Sequence, residues 1–159
     1  MIVQNLNIKL RRAEPEDLLE LQTLFVETIR CTCINDYSRE QINAWTASVE
    51  NKQNWIEKIK DQFFLIAEID GKIVGFGSLG NGNYLDLLYV HKDYLRKGIA
   101  DKIYGELANE SKRLGFKKIT SDVSITAKPF FEKKGFKIEK ENKLLIKGIE
   151  IINYRMIKQ

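Results

Sequence analysis

Histidine occurs once, at His91, and the only two cysteines, Cys31 and Cys33, stand one residue apart. A transition-metal centre needs further His or Cys ligands and a disulfide scaffold needs well-separated pairs, so the sequence predicts neither metal nor cross-link. Two prolines in 159 residues, with no repeat and no low-complexity stretch, leave no marked linker and predict a single domain over residues 1–159. No apolar run approaches the ~20 residues that span a bilayer, which excludes a membrane-spanning helix. The opening, MIVQNLNIKLRR, lacks the basic-then-apolar order of a secretion signal, so the expected location is cytoplasmic.

A strong excess of one charge is missing too. Lys and Arg number 26 against 22 Asp and Glu, a net +4 spread through the chain. A nucleic-acid binder needs clustered arginine and exposed aromatic motifs, and neither is present. The residual positive charge suits a solvated surface or an anionic cofactor.

What is present is a clear change of periodicity. Ile8 to Arg11 alternates like a short strand, and Glu14-Pro15-Glu16-Asp17 opens a helix with buried stripe Leu18, Leu21, Phe25 and Ile29. Ser38 to Gln41 matches a capping box before Ile42 and Trp45, and a further polar helix covers Asn51 to Lys60. The runs 63–69 and 72–79 are β-rich and flank Asp70-Gly71, a hairpin signal; Tyr84 to Val90 makes a third strand. Helical spacing returns from Gly98 to Leu114, followed by a strand at 118–123, a short helix at 126–134 and a strand pair at 136–141 and 150–157. The expected fold is α/β: a mixed, mostly antiparallel central sheet of six to seven strands flanked by about four helices.

The chemistry concentrates in Tyr84 to Ala100, YLDLLYVHKDYLRKGIA, where a strand passes through a basic loop into a helix. The first turn of a helix has N–H groups without intrahelical partners and a dipole that favours anions. Glycine at such a junction serves close packing equally well, so the local pattern says only that phosphate is welcome there.

Two blocks narrow this. Leu95-Arg96-Lys97-Gly98-Ile99-Ala100 after a strand, and Ala127-Lys128-Pro129-Phe130-Phe131-Glu132-Lys133-Lys134-Gly135-Phe136 further on, together resemble the GNAT superfamily of N-acetyltransferases. The resemblance covers the chain from Ile8 to the last strand and implies acetyl-coenzyme A as cosubstrate, with no metal. It implies a primary amine as acceptor, small molecule or peptide, with no nucleic acid or membrane partner, and leaves a homodimer open. Transfer would be direct attack of the amine on the thioester in a ternary complex, with a coenzyme A-binding module without turnover as the alternative.

Carried onto this sequence, the resemblance puts the coenzyme A diphosphate on the backbone of Arg96, Lys97, Gly98, Ile99, Ala100 and Asp101. The pantetheine arm would lie along Leu88, Tyr89 and Val90, with Ser124 and Phe131 beside it, and the Leu88 N–H would stabilise the oxyanion. Two departures stand out: Leu95 replaces a Gln or Arg, and Phe131 replaces a tyrosine that serves the departing thiolate. Phenylalanine has no proton to give.

An alkyl amine is mostly protonated at neutral pH, so a base is required. Asp86 is the first candidate, because strict alternation along the strand would put Asp86, Leu88 and Val90 on one face. Pairing with a lysine is the ordinary alternative for Asp86, while Tyr84 and His91 are weaker candidates. Cys31, Tyr37, Trp45 and Tyr84 are expected to line the acceptor pocket.

Overall fold

The computed structural model describes residues 7–159, and residues 1–6 of the expected 1–159 domain lie outside it. Seven strands form one sheet in the order β1-β2-β3-β4-β5-β7-β6. They are β1 (Lys9–Arg12), β2 (Phe63–Ile69), β3 (Lys72–Gly80), β4 (Tyr84–Val90), β5 (Ile119–Ser124), β6 (Lys137–Ile146) and β7 (Ile149–Lys158). Every neighbouring pair is antiparallel except β4 and β5, which are parallel. The α-helices are α1 (Leu18–Thr32), α2 (Arg39–Thr46), α3 (Lys52–Asp61), α4 (Ile99–Arg113) and α5 (Lys128–Lys133).

Local chemistry sets the element ends. Ser38 Oγ accepts from the Gln41 N–H and the Gln41 side chain accepts from the Ser38 N–H, the reciprocal cap that starts α2. Asp70 and Gly71 both take positive φ, at 50° and 78°, as the tight β2–β3 hairpin requires. The first strand begins one residue later than Ile8 to Arg11 would suggest.

The central strands β2 and β3 are buried on both faces. Leu21, Phe25 and Ile29 of α1 and Trp55 of α3 pack against Phe64, Ile66 and Phe76 on one side. Ile99, Ile103 and Leu107 of α4 pack against Leu65, Ala67 and Val74 on the other. Each fully buried large side chain contributes about 1.5–3 kcal/mol, so these two layers hold β3 and β4 rigidly between helices. Gly75 and Gly77 let α4 approach closely: a Cβ on Gly77 would stand 2.7 Å from Ile103 Cγ2. Among the described residues, no helix is long and apolar enough to cross a membrane.

Candidate active site

The site begins where the sheet comes apart. β4 and β5 pair at Tyr84 and Thr120 and then diverge, with Ser121 Oγ donating to Leu85 O (2.7 Å) at the fork. The N–H of His91 donates to Val74 O (2.8 Å), so by alternation the main-chain groups of Val90 and Leu88 face away from β3, toward the opening. The Leu88 N–H is therefore directed into the opening rather than into the β3 ladder. The Val90 carbonyl is already engaged by the Thr28 hydroxyl of α1 (3.1 Å), which leaves its N–H as the group facing the opening.

A β-bulge overturns one expectation from alternation. Leu79 faces Leu85 while the adjacent Ser78 faces Leu87, so Asp86 is an extra residue on β4 with no cross-strand partner. Leu85, Leu88 and Val90 consequently pack with the α4 layer and Leu87 with the α1–α3 layer. Asp86 does not share a face with Leu88 and Val90; it turns toward α3, where Oδ2 accepts from Lys58 Nζ (2.7 Å) and Gln62 Nε2 (2.9 Å). The lysine pairing is thus real, yet Asp86 also lines the cleft and its Oδ1 has no partner among the described residues.

The cleft at the fork measures about 580 Å³. Tyr37, Trp45, Tyr84, Leu88, Tyr89, Ser124 and Phe131 line it. Cys31 does not: it is exposed on the last turn of α1, outside the cleft lining, because the helical step from buried Ile29 turns it to solvent. Tyr37 is a clamp as well as a wall, its hydroxyl donating to Ile152 O (2.7 Å) and accepting from the Ile125 N–H (2.9 Å). Burial pushes its phenol up to about 12. Ser124 Oγ accepts from the Ala127 N–H (3.1 Å), capping the turn before α5. His91 sits after the strand, where Nδ1 accepts from the Asp93 N–H (3.1 Å).

Sequence reasoning missed the polar cluster across the cleft. Asp122 of β5 takes a two-pronged ion pair from Arg155 (2.8 and 3.1 Å), with Asn142 Nδ2 at 2.8 Å and the Tyr84 hydroxyl at 2.7 Å. Burial alone would raise the Asp122 carboxyl, but the hydrogen bonds from Arg155 and Tyr84 outweigh it and hold it below the usual range. Burial, and then the bond to Asp122, push the Tyr84 phenol far up, so it stays protonated. A partial signal was available: Asp122 is the one charge on a strand whose other residues are apolar or small, ITSDVS.

Past β4 the chain turns through Lys92–Tyr94 into α4. Arg96 and Gly98 both adopt positive φ, 60° and 81°. The N–H groups of Ile99, Ala100 and Asp101 have no backbone partner among the described residues. A Cβ on Gly98 would meet nothing within 4 Å, so the space beside this exposed turn is open. The Asp101 side chain pairs with Lys134 at the end of α5. Alternating backbone conformations of this kind make a concave nest of amide donors, which fits a diphosphate.

A splayed parallel strand pair, one strand of it bulged, borders the cleft, and an anion nest follows at the next helix. Residues 33–158 match the family described as an acetyltransferase (GNAT) domain. The chain is 34% identical over 150 residues to the uncharacterized N-acetyltransferase YafP of Escherichia coli, covering 94% of this chain and 95% of that one. Its fold superposes with a TM-score of 0.93 on a GCN5-related N-acetyltransferase from Rhodopseudomonas palustris, 31% identical, covering 100% of this chain and 98% of the other. A TM-score of 0.81 relates it to the PaiA N-acetyltransferase of Thermoplasma acidophilum, solved with coenzyme A, at 25% identity over 96% of this chain and 99% of that one. The chain belongs to the GNAT acetyltransferase family, and it is an acyltransferase.

Proposed function

We propose that this protein transfers an acetyl group from acetyl-coenzyme A to a primary amine by direct attack in a ternary complex, the whole chain acting as one domain. The observation that carries the reading is the Arg96–Asp101 turn, where free amide donors surround open space beside Gly98 and follow directly on the strand that borders the cleft. When bound, acetyl-coenzyme A supplies the activated carbonyl and coenzyme A is the leaving thiol. The chain's own part is to hold and to polarise. The backbone of Arg96 to Asp101 binds the diphosphate, and the N–H groups of Leu88 and Val90 meet the arm and the carbonyl oxygen. Asp86 Oδ1 accepts the proton that the amine must lose, while Lys58 and Gln62 keep its other oxygen fixed.

Two substitutions test the two halves separately. Gly98→Glu places a carboxylate in the nest and should abolish the rise in melting temperature that acetyl-coenzyme A gives the parent protein. Asp86→Asn should lower thiol release in the presence of an amine by about 10²-fold, a typical loss for a general base, while that thermal rise stays intact. Undiminished stabilisation in the first variant, or undiminished turnover in the second, overturns the corresponding assignment.

A further inference from the structure

We infer that the acceptor is an amine that also carries a carboxylate, which Arg155 and Asn153 of β7 hold while the amine reaches Asp86. The inference rests on the acetyl-transfer reading of the same cleft and adds the substrate class to it.

The argument is a balance of hydrogen-bonding capacity. Asp122 is saturated: Oδ1 accepts from Asn142 Nδ2 and Arg155 Nε, and Oδ2 accepts from the Tyr84 hydroxyl and Arg155 Nη2. Asp86 has one oxygen committed to Lys58 and Gln62, which leaves Oδ1 as the one carboxylate oxygen of the cleft without a partner among the described residues. An acceptor with several positive charges would find a single unpartnered anionic atom, beside the lining cations Lys58, Lys147 and Arg155, which are already paired with Asp86, Glu50 and Asp122.

Donors, by contrast, are in surplus. The Asn153 Oδ1 accepts from Asn142 Nδ2 (2.9 Å), which fixes the amide so that its own NH₂ is the group left over. Arg155 uses Nε and Nη2 on Asp122, and its Nη1 has no partner among the described residues. Asn153 and Arg155 are two apart on β7 and both line the cleft, so they share one face of the strand. A guanidinium N–H pair beside an amide N–H pair complements the two oxygens of a carboxylate. Tyr84 lies between the ends of the site, its ring 5.9 Å from the Arg155 guanidinium carbon and its hydroxyl on Asp122.

Calorimetric titration of the full chain loaded with coenzyme A tests this without requiring turnover. Matched pairs serve as probes: phenylalanine against phenethylamine, 4-aminobutyrate against butylamine, phosphoethanolamine against ethanolamine, and spermidine as a polycation. The carboxylate-bearing member of at least one of the first two pairs should bind tenfold or more tightly than its partner. Arg155→Met should erase that preference. Asp122→Asn, which releases Arg155 from its carboxylate partner, should raise it at least threefold, whereas an Arg155 that merely braces the sheet would leave it unmoved. If Arg155→Met does not fold, Asp122→Asn decides alone. A preference confined to the phosphate pair, equal binding within both carboxylate pairs, or tightest binding by spermidine overturns the inference. A carboxylate preference without acetyl transfer would sink the transfer reading, and with it the assignment of this ligand as acceptor, leaving only a carboxylate-binding site at Arg155; transfer without preference would sink the inference alone.

Discussion

Phe131 stands where the family resemblance carried by the sequence leads one to expect a tyrosine. It is buried, packs edge-on against Phe130 and Phe136, and lines the cleft, so the ring keeps its structural place without a hydroxyl. The Tyr37 and Tyr84 hydroxyls cannot substitute, since each already donates to a protein acceptor. The Ser124 hydroxyl accepts from Ala127 and keeps its proton unassigned among the described residues. A thiol titrates near ~8.5, so its anion leaves tolerably without an acid at neutral pH. Phe131→Tyr should therefore raise kcat for thiol release by only about tenfold, less than general acid help usually supplies. Thiol release followed from pH 6 to 9 checks this, and an unchanged kcat throughout would show that the added hydroxyl does not reach the sulfur.

At the scale of elements, strands and helices were legible because each carries its own local mark. The Ser38 cap, the Asp70-Gly71 turn and the apolar spacing of α4 are short-range signals, and all three hold in the structure. The bulge at Asp86 was not legible, since it arises from the register between β3 and β4 and leaves nothing in the order of residues along β4. For the same reason Asp122, Asn142, Asn153 and Arg155 could not be assembled beforehand; they meet only once β5, β7 and β6 lie side by side. Glycines make the same contrast measurable. A Cβ on Gly77 would stand 2.7 Å from Ile103 Cγ2 and 3.1 Å from Leu87 O, so Gly77→Ala should cost about 1–3 kcal/mol through overpacking. Gly105 lies within α4 with nothing within 4 Å of its Cβ position, so Gly105→Ala should add about 0.5–1 kcal/mol. Opposite signs in urea denaturation are expected, and a neutral Gly77→Ala would mean that α4 sits farther from the sheet than described.

Over the whole molecule, the first strand is tied to the rest by its ladder with β2, by Leu10 against the core and by a cluster of charges. Arg11 of β1 donates twice to Asp17 (2.8 Å each), and also pairs with Glu68 of β2. The Glu14 N–H adds a third bond to Asp17 (2.8 Å). The Arg11 guanidinium first, and the Glu14 amide after the cost of burial, hold the Asp17 carboxyl below its usual range. A depressed carboxyl stabilises the folded state wherever it is ionised in both states, so its contribution is complete above the unfolded value of ~4 and fades as pH falls through the lower folded value. Asp122 acts in the same direction from the far side of the sheet. Melting temperature should therefore drop steeply below about pH 4. Asp17→Asn keeps the shape and removes the titrating charge, so it should melt lower than the parent at pH 7 and approach it at pH 2.5. Parallel curves across that range would show that the pairing of β1 with the start of α1 contributes nothing to the acid sensitivity of the fold.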